Sequence, residues 1–355
     1  MSHGALRVGL LGYGLAGRVF HAPLIAATPG MTLAAVVTRD ATRRAALAAA
    51  HPDAVVVDSA DALWARAGAL DLVVVATPNR SHVALARAAL AAGLPVVVDK
   101  PFATSAAEAR ALTAEARSRQ LLLTVFQNRR WDGDFLTVRK LLAEDRLGAV
   151  HRFESRYERW NPVPRIGWRE SADPDEAGGL LFDLGAHLID QALLLFGPVR
   201  TVYAELDRRR PGVATDDDAH VALTHASGVR SALWMSKVAA QPGPRFRVLG
   251  ARAAFTKDGL DGQEAALALG GSPSAPDWGE EPAARWGQLG LDGALAPVRS
   301  EAGSYPRFYA AVAAALRDGT PPPVEPDDAI AVLDIIEAAR ASAAHGRVEH
   351  LAAST

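Results

Sequence analysis

The sequence contains no cysteine, and its acidic and basic residues almost cancel. Without cysteine the chain has no disulfide, no thiolate metal ligand and no thiol nucleophile. Its 38 Lys and Arg residues and 40 Asp and Glu residues leave a formal net charge of -2, with no Lys/Arg run of the kind that marks a nucleic-acid tail. We therefore expect a protein that uses neither cysteine chemistry nor a bound metal and that does not bind nucleic acid.

A long uninterrupted apolar segment is also missing from the N-terminal region. The apolar run that begins at Val8 follows a single arginine and is broken by four glycines, unlike a signal peptide. With 49% hydrophobic and 22% charged residues, the composition is that of a globular chain, neither disordered nor membrane-like. These features lead us to expect a cytoplasmic protein without a membrane partner. Because its 355 residues exceed what one compact core holds, we also expect two domains.

A glycine-rich turn follows the first predicted strand. Residues 7–11 form a short apolar run that leads into Gly12-Tyr13-Gly14-Leu15-Ala16-Gly17, a G-x-G-x-x-G pattern, and then into a helix-like segment. The first glycine permits the tight turn, the second lets backbone approach a pyrophosphate, and the third lets the helix pack on the strand. Further predicted parallel strands are residues 33–37, 54–57, 71–76, 95–99 and 121–126. This alternation of strands and helices predicts a dinucleotide-binding domain.

Thr38 and Arg39 follow the second predicted strand, where an acidic residue would bind the ribose 2'-hydroxyl of NAD. A guanidinium pairs with a 2'-phosphate, which a carboxylate would repel, so Arg39 favours NADP(H). Asp40 leaves an alternative open, because it can cap the helix that begins near Ala41 or turn towards the ribose of NAD. NADP is therefore the predicted cofactor, with NAD as the second choice.

Two further strand ends carry polar residues. Thr77-Pro78-Asn79 follows the fourth strand, and it is expected to line the cofactor cleft or to form an ordinary turn into the next helix. His82, just beyond, is interpreted as structural rather than catalytic. Lys100 follows the fifth strand and Asp99, and an ammonium group at this edge of the sheet can stabilise an alkoxide or polarise a carbonyl.

The stretch GGLLFDLGAHLID, residues 178–190, carries a second candidate group. Its apolar residues indicate a helix, on which Asp183 and His187, four positions apart, lie on one face. A carboxylate and an imidazole so arranged can move a proton, although such pairs also occur as surface partners or as satisfied core groups. Gly178 and Gly179 either permit close approach of a ligand to the backbone or simply begin the helix.

The pattern changes after residue 126 and indicates an α+β domain. We predict helices at residues 135–143 and 327–345, strands at 151–158, 201–206, 220–225, 230–238 and 245–249, and a Gly/Ser/Pro-rich loop at 270–282. The helix from Gly178 would cover one face of this sheet, and another subunit the other. The predicted fold is an α/β Rossmann domain with a parallel sheet, residues 1–126, and an α+β domain with an open, largely antiparallel sheet, residues 127–355.

These motifs together resemble the Gfo/Idh/MocA family, the glucose-fructose oxidoreductase, inositol dehydrogenase and rhizopine catabolism family of NAD(P)-dependent oxidoreductases. The resemblance covers nearly the whole chain and rests on GYGLAG, ATPN with His82, DKP and GGLLFDLGAHLID, in that order. GYGLAGRVFHAPLI, Val37-Thr38-Arg39, DKPFA and Asn128-Arg129-Arg130-Trp131-Asp132 are similar to the NADP-linked scyllo-inositol dehydrogenase branch. Asp99 departs from the family pattern, which most often has glutamate there.

The resemblance implies a polyol or sugar substrate, a homodimer or homotetramer formed through the open sheet, and a catalytic set of Lys100, Asp183 and His187. Tyr305 matches a position that approaches the nicotinamide half of the cofactor in some relatives. The implied cofactor-binding residues are Gly12, Tyr13, Gly14, Leu15, Ala16, Gly17, Thr38, Arg39, Thr77, Pro78, Asn79, His82, Asp99, Lys100, Gln127, Trp168 and Arg169.

With these assignments, the expected reaction interconverts a secondary alcohol and its ketone with NADP(H). His187 takes the hydroxyl proton as hydride leaves the carbon, Lys100 stabilises the developing alkoxide, and Asp183 holds a substrate hydroxyl. One alternative is a cofactor-sensing regulatory or binding protein on the same fold without turnover. Another is a metal-dependent hydrolase that uses Asp183, His187 and one of His151, His220 or His225, but it leaves the glycine turn without a role.

Overall fold

The computed structural model describes residues 4–164, 167 and 170–351. The chain forms two compact units. The first consists of residues up to 131 together with 262–278 and 304–330, and the second of residues 132–261, 279–303 and 331 onwards. The chain therefore returns to the first unit twice, at residues 262–278 and 304–330. The prediction of a single boundary after residue 126 places both segments in the other domain.

The first unit contains a six-stranded parallel sheet, as predicted. Its strands are β1 (Leu6–Leu11), β2 (Met31–Val37), β3 (Val55–Val57), β4 (Leu72–Val75), β5 (Val96–Asp99) and β6 (Leu123–Phe126). They lie in the order β3-β2-β1-β4-β5-β6, so the order reverses between β1 and β4. In open parallel sheets, ligands bind outside the carboxyl ends of the strands at such a reversal. The residues that follow β1, β4 and β5 therefore lie at the edge where a cofactor is expected.

Three of the helices in the described residues begin at a capping side chain. In chain order they are α1 (Ala22–Ala27), α2 (Ala41–Ala50), α3 (Ala60–Trp64), α4 (His82–Ala91), α5 (Ala106–Ser118), α6 (Gly133–Ala143), α7 (Ala186–Phe196), α8 (Gln263–Ala268), α9 (Pro306–Asp318) and α10 (Pro326–His345). The side chains of Asp40, Ser59 and Ser105 accept the backbone N–H three residues later and so begin α2, α3 and α5. Two π-helical turns, Ala16–His21 and Leu181–Gly185, lead directly into α1 and α7.

The second unit contains a nine-stranded mixed sheet. Its strands are β7 (Val150–Glu158), β8 (Val199–Asp207), β9 (Asp218–His225), β10 (Arg230–Ser236), β11 (Phe246–Gly250), β12 (Ala254–Lys257), β13 (Gly287–Leu291), β14 (Ala294–Val298) and β15 (Glu349–His350). The order is β14-β13-β12-β11-β7-β10-β9-β8-β15, in which β7 and β10 run parallel and the other neighbours antiparallel. The predicted largely antiparallel sheet is confirmed, and it extends through four strands, β12 to β15, that the sequence did not indicate.

The two faces of this sheet differ in chemistry. On one face the side chains of Val221 and Leu223 are buried, and α7 packs against β7 and β10. The other face carries the ring of His220, which stacks on Trp234 with centroids 4.8 Å apart. The guanidinium of Arg156 lies 4.3 Å from the centre of the Trp234 ring. The second face is therefore a half-buried surface of aromatic and charged groups rather than part of the core.

One helical run among the described residues, Pro174–Phe196, is long and apolar enough to cross a membrane. In the protein, however, 67% of its most apolar window is buried. Such burial is typical of a core helix. The second half of this run is α7, the helix that covers the sheet.

Candidate active site

The glycine turn lies between β1 and the π-helical turn Ala16–His21. Gly12 has φ +96°, and a Cβ atom there would lie 2.4 Å from the carbonyl oxygen of Ala76. A Cβ atom at Gly17 would lie 2.0 Å from the carbonyl oxygen of Gly12. The chain itself therefore requires glycine at both positions, as expected for the tight turn and for close packing of helix on strand.

Gly14 differs from these two glycines, because a Cβ atom there would have no neighbour within 4 Å. The protein alone therefore does not need glycine at this position. The open space lies beside the turn at which a dinucleotide pyrophosphate approaches the backbone. Tyr13 is buried and Leu15 is 54% exposed. The turn thus fits a nicotinamide dinucleotide, whose pyrophosphate would come close to Gly14.

The three residues after β2 differ in exposure and in the contacts that they make. Asp40 caps α2, because its carboxylate accepts the N–H of Arg43 at 2.8 Å. Thr38 is buried, and its carbonyl oxygen accepts a hydrogen bond from Nε of Arg44 at 3.1 Å. Arg39 is exposed. Of the two side chains considered for the ribose, Asp40 is thus engaged in its own helix, whereas Arg39 extends into solvent.

Thr77-Pro78-Asn79 forms the turn between β4 and α4. Asn79 is buried, and Oγ of Ser81 lies 2.7 Å from both the Thr77 hydroxyl and the Pro78 carbonyl oxygen. His82, the first residue of α4, is 1% exposed. Its two ring nitrogens lie 2.9 Å from the carbonyl oxygen of Thr77 and 2.8 Å from that of Pro101. These contacts link two backbone segments at the carboxyl edge of the sheet.

Lys100 follows β5 at the same edge, one position after Asp99. The backbone N–H of Lys100 donates to Oδ1 of Asp99 at 2.8 Å, and the Lys100–Pro101 peptide bond is cis. Burial alone would raise the pKa of Asp99, but His21, His82 and Lys100 hold it below its usual value. Asp99 is therefore favoured in its ionised form by groups of its own unit.

A buried histidine that the sequence did not single out lies behind Asp99. His21 is fully buried, its Nδ1 lies 2.6 Å from the Tyr309 hydroxyl, and its Nε2 lies 3.7 Å from Oδ2 of Asp99. The only sequence signal for this residue is its place in the helical segment after the glycine turn. Because burial and Asp99 raise the pKa of Tyr309 well above its usual value, its hydroxyl stays protonated.

Gln127 and Tyr305 also belong to the first unit. Gln127 follows β6 and is buried. Tyr305 is fully buried, its hydroxyl accepts from Nη1 of Arg129 at 2.7 Å, and its N–H donates to Oε1 of Gln263 at 2.7 Å. The two residues thus lie in the dinucleotide-binding unit, and Tyr305 is fixed there by polar contacts at both its ends.

The start of the GGLLFDLGAHLID segment is held by Asp216, from the connection between β8 and β9. Leu180 N–H donates to the carbonyl oxygen of Asp216 at 3.0 Å, and Leu181 N–H donates to its Oδ2 at 2.8 Å. Gly179 has φ +101°, and a Cβ atom there would lie 2.1 Å from Oδ1 of Asp216. Burial raises the pKa of Asp216, although the N–H groups that it accepts oppose this shift. The space beside Gly179 is therefore filled by a side chain of this chain, a reason for glycine that the sequence did not reveal.

Asp183 and His187 lie one helical turn apart in the second unit. Asp183 belongs to the π-helical turn and is half-buried, and its N–H donates to the carbonyl oxygen of Gly179 at 3.1 Å. His187 lies in the first turn of α7 and is 4% exposed. π-Helical turns inside helices occur frequently at functional sites. Trp168 and Arg169, expected on the cofactor side, lie outside the described residues.

A charged network anchors the β8–β9 connection next to Asp216. Asp217 accepts Nε of Arg210 at 2.8 Å, and Nη2 of Arg210 donates to Oε1 of Glu170 at 3.0 Å. Nζ of Lys237 donates to the same Glu170 oxygen at 3.0 Å. Burial alone would raise the pKa of Glu170, but Lys237 and Arg210 hold it below its usual value. This network fixes the loop from which Asp216 reaches the helical segment.

No group of three or more His, Asp or Glu side chains in residues 4–164, 167 and 170–351 could hold a metal ion. The metal-dependent hydrolase therefore has no support in this part of the chain. The side chains collected at the carboxyl edge of the first unit are instead suited to binding a dinucleotide and to placing an ammonium group beside it.

Comparison with known proteins agrees with this geometry. Residues 6–127 match the oxidoreductase family with an NAD-binding Rossmann fold, and residues 135–256 match the GFO/IDH/MocA C-terminal domain. The chain is 41% identical over 350 residues to the uncharacterized oxidoreductase YdgJ of Escherichia coli, covering 96% of this chain and 97% of that protein. It is 35% identical over 346 residues to scyllo-inositol 2-dehydrogenase (NADP(+)) IolW of Bacillus subtilis, covering 96% and 95%.

The fold is also that of solved structures. The structure of putative oxidoreductase yvaA from Bacillus subtilis superimposes with a TM-score of 0.94 at 34% sequence identity, covering 99% of this chain and all of that one. The similarity therefore includes both units and the two family domains. The chain belongs to the Gfo/Idh/MocA family of oxidoreductases and carries that family's NAD-binding Rossmann domain and C-terminal domain.

Proposed function

We propose that this dehydrogenase interconverts a secondary alcohol of a cyclic polyol or sugar, of the inositol class, with the corresponding ketone, using NADP(H). The observation that carries the proposal is the position of Lys100 directly after β5, at the same carboxyl edge of the parallel sheet as the glycine turn that follows β1. The similarity to a scyllo-inositol 2-dehydrogenase supports the polyol class. A general test is a panel of inositols, sugars and keto-sugars with NADP(H) and NAD(H), monitored by nicotinamide absorbance.

The preference for NADP rests on Arg39 and Asp40. Arg39 is exposed after β2, and Asp40 accepts the N–H of Arg43, so its carboxylate is used as a helix cap. An exposed guanidinium at this position can pair with the 2'-phosphate of NADP.

Arg39→Ala tests the cofactor preference. It should raise the KM for NADPH about tenfold, since a charge-assisted contact is lost, and leave the KM for NADH unchanged. Asp40→Asn is the matched control, because the amide oxygen still accepts the Arg43 N–H. If Asp40→Asn raised the KM for NADH and Arg39→Ala left that for NADPH unchanged, NAD would be the cofactor.

In the proposed reaction three side chains act on the substrate. The nicotinamide, when bound, accepts or supplies the hydride. His187 takes the hydroxyl proton during oxidation and returns it during reduction, a role for which imidazole side chains are commonly used. Lys100 stabilises the negative charge that develops on the substrate oxygen, and Asp183 accepts a hydrogen bond from a neighbouring substrate hydroxyl.

His187→Asn and Lys100→Met test these roles. His187→Asn should lower kcat by about 10²- to 10⁴-fold, the usual contribution of a positioned acid or base, and Lys100→Met by about 10²- to 10³-fold. NADPH affinity, measured by fluorescence titration, should change little in His187→Asn. Turnover close to that of the wild type in either variant would contradict the assignment of that residue.

A cofactor-sensing protein without turnover is the second candidate. It predicts NADPH binding with no reaction across the polyol panel. Asp183 and His187 have no necessary role in such a protein, so substitution of either would leave its behaviour unchanged. The panel and the His187→Asn variant therefore distinguish the two functions.

The proposal includes a homodimer or homotetramer in the cytoplasm. The half-buried sheet face with His220, Trp234 and Arg156 is the surface expected to meet another copy. Light scattering after size-exclusion chromatography measures the assembly. A Trp234→Glu variant should shift it towards monomer, and an unchanged mass would contradict the use of this face.

A further inference from the structure

A buried arginine joins three elements of the second unit. Arg245 directly precedes β11 and is 2% exposed. Its Nη1 donates to Oγ of Ser155 in β7, and its Nη2 donates to Oε1 of Gln191 in α7 at 2.7 Å. Its Nε lies 3.4 Å from Oδ2 of Asp134 in α6. Because a guanidinium carries five N–H donors in a rigid fork, one side chain can hold all three partners at once.

The surroundings of the guanidinium are apolar. Its Cζ lies 4.3 Å from the centre of the Tyr157 ring and 3.9 Å from that of the Phe246 ring. Asp134 is also buried, and burial raises its pKa whereas the charge of Arg245 lowers it. Both charges lose their solvation in such a pair, and apolar side chains of the same volume often give equal or greater stability. Directed hydrogen bonds are therefore a stronger reason for arginine at this position than stability is.

The bond to Gln191 acts on the helix that carries His187. Gln191 lies one turn after His187 in α7, whose Leu188 and Ile189 are fully buried. Apolar contacts have little directionality, so they define the position of a helix along its axis less sharply than a hydrogen bond does. The Arg245 guanidinium thus supplies a directed contact between α7 and β7.

This contact is one of two anchors around the π-helical turn Leu181–Gly185. Asp216 accepts the N–H of Leu181 at the start of the turn, and Arg245 holds Gln191 after it. A π-helical turn has i→i+5 hydrogen bonds in place of the i→i+4 bonds of an α-helix. Relaxation of the turn to α-helix would therefore rotate the residues on its two sides relative to each other.

We propose that Arg245 is a positioning residue that fixes α7, and with it His187, through Gln191. Without this bond α7 can shift against β7 and the π-helical turn can relax, which changes the angle between Asp183 and His187. The inference rests on the proposed function, because it assumes that these two side chains act on the substrate. It predicts a loss of turnover that does not follow the loss of stability.

Gln191→Leu tests the contact with α7. Leucine is similar in size but cannot accept from Nη2, and Arg245 keeps Asp134 and Ser155. The kcat for the polyol that the wild type turns over fastest should fall about tenfold. The Kd for NADPH, measured by fluorescence titration, should stay within about twofold, because the cofactor-binding turns lie in the first unit. An unchanged kcat would overturn the proposal.

The charge pair provides a second test. Arg245→Met leaves the buried Asp134 without its partner, so the thermal midpoint should fall. Arg245→Met combined with Asp134→Asn removes both charges and should regain part of the midpoint, whereas kcat should stay about tenfold below the wild type in both proteins. Addition of Gln191→Leu to Arg245→Met should lower kcat no further, because both remove the same bond. Recovery of kcat together with the midpoint would mean that Arg245 acts on stability alone.

Lys257 and Glu281 provide the matched control. They form another buried pair of the second unit, in which Nζ of Lys257 lies 3.0 Å from Oε1 of Glu281. Lys257 lies in β12, and its Nζ also donates to the carbonyl oxygen of Asp258. Lys257→Met with Glu281→Gln should lower the thermal midpoint and leave kcat unchanged at temperatures below it. An equal fall in kcat would overturn the specific role of Arg245.

Hydrogen exchange separates this inference from the proposed function. If the wild type turns over a polyol and Gln191→Leu does so equally well, only the inference fails. If the wild type turns over no polyol, the proposed function fails, and deuterium uptake measured by mass spectrometry still tests the anchor. Uptake by residues 181–191 should then be faster in Gln191→Leu than in the wild type, with no change in residues 218–225 of β9. Equal uptake by residues 181–191 in both proteins would overturn the positioning role.

Discussion

Each unit contains a glycine, a π-helical turn and an α-helix in succession, but the two sets of glycines face different groups. In the first unit, Cβ atoms at Gly12 and Gly17 would collide with the backbone carbonyl oxygens of Ala76 and Gly12. In the second, a Cβ atom at Gly179 would collide with the carboxylate of Asp216. The first turn is thus closed by uncharged backbone, and the second by a side chain that comes from a different loop.

This difference determines how each turn responds to a methyl group added at its glycine. Backbone atoms that directly follow a strand cannot withdraw from an added methyl group without moving that strand. A side chain can be removed or replaced by another that makes the same hydrogen bond. We therefore expect that the stability lost by adding a methyl group in the first turn cannot be restored by a second substitution. In the second turn, a substitution of Asp216 should restore part of it.

The largest effect is expected for Gly17→Ala in the first unit. The added Cβ would lie 2.0 Å from a backbone oxygen, so the free energy of unfolding should fall by about 1–3 kcal/mol or more, with loss of NADPH binding. Gly14→Ala is the matched control, because the same methyl group would have no protein neighbour within 4 Å. Its stability should stay within about 0.5 kcal/mol of the wild type. Urea unfolding measures both variants.

The same pair tests the fit to a dinucleotide. In Gly14→Ala the methyl group occupies the space proposed for the pyrophosphate, so NADPH affinity should fall at least about tenfold although the fold is intact. Unchanged NADPH affinity in Gly14→Ala would mean that the pyrophosphate does not approach this residue. Wild-type stability in Gly17→Ala would contradict closure of the turn by the backbone.

A double-mutant cycle on Gly179 and Asp216 has the next largest expected effect. Gly179→Ala introduces a collision with the carboxylate and also strain, because φ is +101°. In an Asp216→Ala background the collision is gone and only the strain, about 1–2 kcal/mol, remains. The cost of Gly179→Ala should therefore be smaller by at least about 1 kcal/mol in that background. Additive costs in urea unfolding would contradict the contact.

Asp216→Asn is the control for this cycle. The amide oxygen can still accept the Leu181 N–H, and the neutral group avoids the burial cost that raises the pKa of Asp216. Its stability should therefore exceed that of Asp216→Ala by about 1 kcal/mol, the usual worth of a helix cap. If Asp216 fixes the segment that carries Asp183 and His187, kcat should fall in Asp216→Ala and stay near the wild-type value in Asp216→Asn.

The composition and burial of a strand determine whether the sequence predicts it. The six parallel strands are short apolar runs that both faces of the sheet bury, and all six were recognised within a few residues. The sequence does not predict β13 and β14, because Gly287–Leu291 contains two glycines and no β-branched residue, and Ala294–Val298 contains proline and is mostly exposed. The return of residues 262–278 and 304–330 to the first unit depends on tertiary contacts alone.

The candidate site also contains residues that the sequence predicts and residues that it does not. The sequence predicts Gly12, Gly14, Gly17 and Lys100 as site residues because the strand ends of a parallel sheet lie at one edge whatever the rest of the fold. Asp216 could not be identified, because nothing in the sequence relates it to the segment 35 residues earlier that it caps. Asp40 was left between two roles, and the hydrogen bond that it accepts from Arg43 identifies it as a cap.

The smallest expected effect concerns pH and the charges that hold the β8–β9 connection. Lys237 and Arg210 keep the pKa of Glu170 below its usual value of about 4.3. A carboxylate with a lowered folded pKa contributes stability that is fully present above its unfolded pKa and is lost as pH falls through the folded value. Glu170→Gln removes this contribution, so it should be less stable than the wild type at pH 7, by about 1 kcal/mol.

The difference between the wild type and Glu170→Gln should therefore shrink below about pH 4, since protonation of Glu170 then makes the two side chains alike. Thermal unfolding of both proteins between pH 7 and the acid limit of solubility measures this difference. The loss of stability caused by Gly17→Ala is the control. Because the groups around that glycine are uncharged backbone, this loss should not vary over the same pH range. If the stability difference between the wild type and Glu170→Gln did not change with pH, the ion pairs of Glu170 would not stabilise the β8–β9 connection. Charge would then matter as little to the segment held by Asp216 as it does to the glycine turn of the first unit.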